Sequence, residues 1–351
     1  AAPRREPGAR SELPAAGLLY GLVGLGALGA ATWAALTFVL PELRAASPDL
    51  PPPTLDVPLA AWTDQEWLLA SVALAASGLT ASAYTLHALA DRLRAAGRVF
   101  DTGVQLARQT QLLAVVVFGV SLAFGVHTPA EGIRPLTTIE WVVVNLVLGA
   151  VLGAAFHFFI GDDLDDQRLF LALVGVATFA SGIAHFLHLS ALFMNLVVGF
   201  VLANIGGQIG YLRAALTRVE KPVYVLLLIF AGALWRPPAD PVFYLLAAAF
   251  IAVRFPALGL AGRAAAAQLD LVEPGARRLG FMLLGQPPLA IAIAVGYTLA
   301  VPQDTSGMVL TTVLASVVLN DLWATLMARS VLDDAGEIPT PGAVELLPEE
   351  N

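Results

Sequence analysis

Polar residues inside long apolar segments are the candidates for chemistry in this chain, and Arg254 is the first. It lies in the apolar run 241–262, about 20 Å of helix from the start of that run at about 1.5 Å per residue. A charge at such a depth is costly unless it pairs or faces water, so it marks a functional site by default. The alternative is a side chain that extends toward the interface near Arg263.

A second candidate is an interruption of the apolar run 277–300, where Gly285, Gln286, Pro287 and Pro288 are consecutive. Neither proline can donate an amide hydrogen, and each ring clashes with the preceding turn, so the helix is predicted to break here. Backbone groups released at membrane depth need protein or a water-filled cavity around them, and half-helix ends present dipole charge to ions. The alternative is a proline kink that only shapes packing.

Two further polar groups lie in apolar runs. The last run, 307–328, contains Asn320 and Asp321, and the acid could pair with Arg254 or Arg329 or reach the interface. The run 66–90 carries hydroxyl residues and a glycine near its middle: Ser77, Gly78, Thr80, Ser82 and Thr85. If this helix unwinds there, the hydroxyls could offer oxygen ligands to a cation. In the alternative, they bond to the preceding turn and pack between helices.

Other polar features favour structural interpretations. His185 and His188 suggest a proton relay or a metal pair, but without a third histidine or a nearby carboxylate they are predicted to be structural. The acidic motif at 161–166 fits a pattern by which some membrane prenyltransferases hold magnesium diphosphate. Because a second such motif is missing, a solvated turn is favoured over an intramembrane enzyme. Arg108 and Glu140 are expected near the interfaces.

The composition places these residues in an all-α, polytopic membrane protein. The chain is 58% hydrophobic and 13% charged, with a mean hydropathy of +0.76. It has no cysteine, which excludes disulfides and cysteine nucleophiles. No cofactor is expected, and no basic cluster supports a nucleic-acid partner. The apolar runs predict about ten spanning helices, two of them broken: 14–40, 66–90, 104–126, 139–160, 168–187, 189–205, 220–236, 241–262, 277–300 and 307–328.

The predicted organisation is a polar segment at 1–13, a transmembrane domain at 14–330 and a disordered cytoplasmic tail at 331–351. Glycines of the first span form a small-residue stripe suited to close helix contact. Most of the 19 basic residues fall in the loops on the side that carries both termini. By the positive-inside rule that side is the cytoplasm, so we expect an integral protein of the cell inner (plasma) membrane.

Four stretches follow the patterns of one transporter family: HLSALFMNLVVGFVLAN (188–204), KPVYVLLLIFAGALW (221–235), RRLGFMLLGQPPLAIAIAV (277–295) and VLASVVLNDLWATLMARSVLDDAGEI (313–338). Together they resemble the cation:proton antiporter superfamily, and particularly its second subfamily of sodium or potassium/proton exchangers. The resemblance implies two broken helices that cross, derived from inverted repeats. The family fold commonly has three more spans at the front than the ten predicted here.

The resemblance also implies site residues. Arg254 falls where the family places a membrane-embedded base that pairs with an ion-binding acid, and Asp321 falls where the closing pattern has an acid. GLTASAYTLHAL (78–89) resembles the other broken helix, in which a threonine helps to coordinate the cation. Ser82 is the nearest match, with Thr80 beside it. Gln286 belongs to the break at 285–288.

One departure from the family is serious. TQLLAVVVFGV (110–120) resembles the span whose one or two acids bind the ion, yet Thr110 and Gln111 occupy the acidic positions. No Asp or Glu occurs between Thr102 and Gly125. A buried carboxylate binds a proton or a cation in turn, which enforces exchange, whereas an amide can ligate a cation but cannot release a proton near neutral pH.

The leading hypothesis is therefore a secondary transporter, not an enzyme, that exchanges sodium or potassium for protons. Its expected partners are the monovalent cation, the proton, the lipid bilayer and a second copy of the chain in a homodimer. The alternative is a transport-incompetent relative that acts as a membrane scaffold or sensor.

Overall fold

All regular structure in the described part of the chain is helical, as the composition predicts. The computed structural model describes residues 9–45, 63–125, 136–160, 166–205, 209–238, 242–301 and 304–339. The helices are α1 (Ala9–Ala34), α2 (Leu40–Ala45), α3 (Asp64–Leu79), α4 (Ala83–Leu93), α5 (Arg98–Gly125), α6 (Thr138–Ile160), α7 (Asp166–Phe186), α8 (Ala191–Ile205), α9 (Ile209–Leu234), α10 (Val242–Gln268), α11 (Leu279–Met282), α12 (Pro288–Ala300) and α13 (Asp304–Asp334).

The lengths and apolarity of these helices make the chain a polytopic membrane protein. Within the described ranges, six helices are long and apolar enough to cross a membrane: Leu13–Glu42, Asp64–Leu93, Arg98–Phe124, Thr138–Phe158, Phe243–Gln268 and Ser306–Asp334. Shorter apolar helices cover Phe170–Phe186, Ala191–Ile205, Pro222–Leu234 and Pro288–Ala300. Each predicted span therefore overlaps one of these apolar helices, and the run 277–300 does so only over Pro288–Ala300.

Two of the spans are interrupted, and the interruptions lie where the sequence predicts them. Between α3 and α4 the backbone leaves the helix at residues 80–82, with Thr80 and Ser82 in extended conformations. Between α11 and α12 it leaves the helix at residues 283–287. Pro287 is extended there and Pro288 opens α12, a position where the missing amide hydrogen costs nothing. By contrast, Pro256 does not end α10, which continues to Gln268.

The predicted glycine stripe allows α1 to lie close to α5. A Cβ atom on Gly17 would lie 1.4 Å from Oε1 of Gln109, and one on Gly21 would lie 2.3 Å from Cδ2 of Leu113. Gly26, in contrast, meets nothing within 4 Å. Only part of the stripe is therefore a contact surface, because the glycines do not all lie on one side of the helix.

The buried apolar residues form separate clusters. Two of them surround the interrupted helices and include residues of α1, α3, α5, α10, α12 and α13. A third lies among α6, α7 and α8 and consists of Phe156, Ala180, Ala184, Leu189, Met194, Val198 and Leu202. The helices that carry the predicted site residues thus share their core chiefly with one another, and Leu192 of α8 packs against it.

The end of α13 is attached to the start of α5. The Glu337 carboxylate accepts hydrogen bonds from the backbone N–H groups of Val99 at 2.7 Å and Phe100 at 2.8 Å. Burial raises the pKa of Glu337; the two N–H groups lower it, and Glu273 and Asp101 raise it. The helix runs to Asp334, past the predicted domain boundary at residue 330. Likewise α1 begins at Ala9, inside the polar segment predicted at 1–13. Residues 340–351 of the predicted tail lie outside the described residues.

Candidate functional site

The two interruptions meet and are joined through their backbones. The N–H of Ser82 donates to the carbonyl oxygen of Gly285 at 2.8 Å, so the break between α3 and α4 is bonded to the break between α11 and α12. Each break leaves a half-helix C-terminus and a half-helix N-terminus in the interior. The C-terminal ends carry partial negative charge and the N-terminal ends partial positive charge. The joint therefore concentrates helix-end charge at one place, which we call the crossing.

A pair of glycines brings α10 against this crossing. A Cβ atom on Gly262 would lie 2.2 Å from the backbone nitrogen of Gly280, and one on Gly280 would lie 1.8 Å from the carbonyl oxygen of Leu258. No side chain fits at either position unless the two backbones move apart. The contact holds α10 directly on α11, and Arg254 lies two turns before Gly262 on α10.

Arg254 is fully buried and its guanidinium spans the crossing. Its Nε donates to the carbonyl oxygen of Gly78 at 2.7 Å, and Nη2 donates to that of Thr80 at 3.3 Å. Nη1 donates to the carbonyl oxygen of Leu284 at 2.6 Å. The side chain has 0% exposure, so the alternative of an extended side chain near Arg263 is wrong. One cation thus neutralises the carbonyl ends of both interrupted helices.

Gln286 links the crossing to α13. Its Nε2 donates to the carbonyl oxygen of Ser77 at 3.2 Å, and its Oε1 accepts from the hydroxyl of Ser316 at 2.7 Å. Asn320 donates from Nδ2 to Ser316 Oγ at 2.8 Å and to Gln286 Oε1 at 3.4 Å. The Oδ1 atom of Asn320 is buried and has no hydrogen-bond partner within the described residues. An acceptor oxygen is therefore left open beside the crossing.

Asp321 reaches the crossing from α13. Its carboxylate lies near the backbone N–H of Gln286, just before α12 begins. It lies within electrostatic range of Arg254 on α10 and of Tyr224 on α9. The residue is exposed, unlike its buried neighbour Asn320. The predicted alternatives for Asp321, pairing with Arg254 or Arg329 and extension to the interface, stay predictions.

The hydroxyls of the first break are close to a small cavity. Ser82 Oγ accepts from the N–H of Thr85 at 3.2 Å and from its hydroxyl at 2.8 Å, which caps α4. The hydroxyl of Thr80 donates to the carbonyl oxygen of Ser77 at 2.7 Å. The cavity has room for about one water molecule. Its lining includes Ser82, Thr85, Met282, Gly285, Ala324 and Thr325.

The two residues that replace the expected acids of α5 bond to different parts of the structure. Gln111 is brought to the crossing, where its Nε2 donates to the carbonyl oxygen of Ala81 at 2.7 Å. Thr110 is buried, and its hydroxyl donates to the carbonyl oxygen of Ala107 in its own helix at 2.9 Å. Gln111 therefore acts as a donor at the first break, and Thr110 is not directed toward it by any bond.

The remaining sequence candidates lie away from the crossing. His185, His188 and Arg108 are exposed, and Glu140 accepts a hydrogen bond from the N–H of Thr137 at 2.6 Å at the start of α6. Within the described ranges, no group of three His, Cys, Asp or Glu residues is placed to hold a metal ion. The acidic motif lies at 161–166, of which 161–165 are outside the described residues.

Sequence reasoning missed Tyr20 and Ser316. Tyr20 of α1 is fully buried, its hydroxyl has no hydrogen-bond partner among the described residues, and the field of Arg254 reaches it. Ser316 lies one turn before Asn320 and bonds to Gln286. The spacing of Ser316 and Asn320 on one helix face was available as a signal. No local signal pointed to Tyr20, because it lies in a different span.

Comparison with known proteins leaves the function to be argued from this geometry. No family model matches the chain, and no curated protein matches it. Among solved structures, the chain is similar to the sodium proton antiporter MjNhaP1 from Methanocaldococcus jannaschii at pH 8. The sequence identity is 17% and the TM-score is 0.38, over 92% of this chain and 88% of that chain.

Proposed function

We propose that this protein is a secondary active transporter that exchanges a monovalent cation, sodium or potassium, for protons. The observation that carries the proposal is the crossing itself. Two interrupted helices bond to each other through Ser82 and Gly285, and the buried Arg254 binds the carbonyl ends of both. Broken helices at membrane depth are a costly arrangement, and their ends attract ions.

The charge distribution at the crossing suits a cation that enters and leaves. Helix carbonyl ends and side-chain oxygens are the ligands that alkali cations take from proteins, while Arg254 limits how strongly a second positive charge can be held. A site must bind weakly enough to release its ion on the other side. A fixed guanidinium next to oxygen ligands provides that balance, because it repels the cation without titrating near neutral pH.

The setting that we propose for this activity follows the sequence. The protein would lie in the cell inner membrane with both ends of this chain in the cytoplasm, as the loop charges predict. We also propose that the protein forms a homodimer and that it is a transporter and not an enzyme.

Flux through reconstituted protein tests the proposal. Purified protein in liposomes that contain a pH-sensitive dye is diluted into buffer with sodium, potassium or lithium chloride. We expect the internal pH to rise when an external cation exchanges for internal protons, and to stay constant with choline chloride. Empty liposomes are the control for leak. A folded protein that produces no pH change with any of the three cations would refute the exchanger proposal.

The transport-incompetent alternative is supported by one specific observation. The carbonyl oxygens of Gly78, Thr80 and Leu284 are already occupied by Arg254, and Gln111 occupies that of Ala81. A crossing with its oxygens bonded in this way can be a stable frame that moves no ion. Folded, cation-insensitive protein without flux is the outcome that would favour a scaffold or sensor.

A further inference from the structure

We infer that Asp321 of α13 is the group that binds the proton and the cation in turn, at a site completed by oxygens of the crossing. The inference rests on the proposed function and names the site that serves it. The acid is supplied from α13, whereas the family resemblance would place it in α5, where Thr110 and Gln111 stand.

The position of Asp321 supports this role. In the six long spans, the other acids lie in the terminal turns, and Asp321 lies near the middle of Ser306–Asp334. About 25 Å of helix separates it from the start of α13 and about 20 Å from the end. A carboxylate at that depth is costly, and it is tolerated where it is paired or faces a cavity. Asp321 is exposed in the described structure, so its carboxylate is not enclosed by packed side chains.

The surroundings of Asp321 hold a carboxylate in place without fixing its charge. It lies near the backbone N–H of Gln286 at the N-terminal side of α12, where the partial positive charge of the helix favours an anion. The ionisable groups that face it in the described structure are Arg254 of α10 and Tyr224 of α9. Arg254 donates to carbonyl oxygens, so it attracts Asp321 from a distance without closing it off.

Further oxygens for a cation are available on α13 and at the first break. Thr325, one turn after Asp321, lines the small cavity together with Ser82, Thr85 and Gly285. The Oδ1 atom of Asn320 is buried without a hydrogen-bond partner among the described residues. Carboxylate, hydroxyl and amide oxygens are the hard ligands that alkali metal cations require. A buried acceptor without a partner is one that a bound cation or water would satisfy.

The exchange balances in charge at this single residue. Protonated Asp321 releases its proton when a monovalent cation binds to the carboxylate, so the side chain with its occupant is neutral both before and after the exchange. One proton leaves for each cation that binds. The ionised carboxylate with neither a proton nor a cation bound carries an uncompensated negative charge. This charge disfavours the conformational change of transport when nothing is bound.

Substitution of Asp321 tests the assignment in the flux assay described above. We expect Asp321→Asn to reduce cation-driven pH change at least about tenfold, since an amide cannot exchange a proton. Asp321→Glu should retain flux with a shifted pH dependence, because it keeps the carboxylate and moves it. Asp333→Asn, an exposed acid of the same helix, is the matched control and should match the unmodified protein. Thr325→Val should raise the cation concentration for half-maximal flux.

A binding measurement separates a transport role from a structural one. Thermal unfolding of the purified proteins is followed with and without sodium, potassium or lithium chloride, with choline chloride as the control. The unmodified protein should be stabilised by at least one cation, and Asp321→Asn should fold but lose that stabilisation.

If the unmodified protein transports and Asp321→Asn transports equally well, the assignment is wrong and the proposed function stands. If the unmodified protein has no flux, the proposed function fails and the assignment fails with it. If Asp321→Asn does not fold, the pH profile of Asp321→Glu decides. An unchanged profile overturns the assignment.

Discussion

Replacement of Arg254 by methionine should destabilise the protein strongly, because it removes a donor from three buried carbonyl groups at once. Each carbonyl left unpaired costs about 1–3 kcal/mol, so the loss at Gly78, Thr80 and Leu284 is roughly 3–9 kcal/mol. Removal of the guanidinium also removes the cost of burying a charge, which returns several kcal/mol. We therefore expect a net loss of about 3 kcal/mol, near the lower end of the range.

The assay is thermal unfolding of the purified protein in detergent, followed by the fraction that remains monodisperse after heating. A loss of about 3 kcal/mol corresponds to a fall of about 6 °C in the unfolding midpoint, at about 2 °C per kcal/mol for a large domain. Arg254→Lys keeps one charge and three donors on a compact ammonium group. Its unfolding midpoint should therefore lie between those of the unmodified protein and Arg254→Met. The matched control is Arg263→Met, an exposed arginine of the same helix, which should change stability by about 0.5 kcal/mol at most.

The result that would refute the reasoning is specific. If Arg254→Met unfolds within about 1 °C of the unmodified protein, the three carbonyls do not depend on the guanidinium. The crossing would then be held by the backbone bond between the breaks and by packing alone. If Arg254→Met and Arg263→Met lower the unfolding midpoint equally, the loss of stability comes from replacing any arginine of α10 and not from the bonds at the crossing.

Three further outcomes can be measured. Gly280→Ala should lower the unfolding midpoint, because its Cβ would lie 1.8 Å from a carbonyl oxygen of α10, whereas Gly182→Ala in α7, with nothing within 4 Å, should not. Burial raises the pKa of Glu337 above its ordinary 4.5. Protonation of Glu337 therefore stabilises the folded protein fully below pH 4.5, and this stabilisation is lost as pH rises through the raised pKa. Glu337→Gln should remove this step from the pH dependence of unfolding. Gln111→Asp should alter the pH dependence of flux, whereas Asp at the exposed Gln105 should not.

The helices and their interruptions follow from local properties of the sequence. Apolar runs long enough to span a bilayer mark the helices, and the missing amide hydrogens of Pro287 and Pro288 mark the second break. The first break has no proline, and the hydroxyls of Thr80 and Ser82 indicate it only weakly. The structure shows both, since a break can be stabilised by a partner elsewhere in the chain as well as by its own residues.

The bonds at the crossing could not be predicted from the sequence in the same way. Arg254 lies 176 residues from Gly78, and its acceptors are carbonyl oxygens that every residue possesses. No residue type distinguishes the right carbonyls from the others, so only the path of the chain selects them. The open oxygen of Asn320 depends equally on where Ser316 and Gln286 come to lie. The role of Arg254 and the other site residues in ion binding stays a prediction.

The bond between the two breaks has a consequence for how such a protein can diverge. It joins the backbone N–H of Ser82 to the backbone carbonyl of Gly285, so it is formed without the side chain of either residue. Any residue other than proline at position 82 can donate it. The hydrogen bond between the two breaks can therefore persist while the side chains around it are substituted. Distant relatives should retain this backbone hydrogen bond more often than any particular side chain at the crossing.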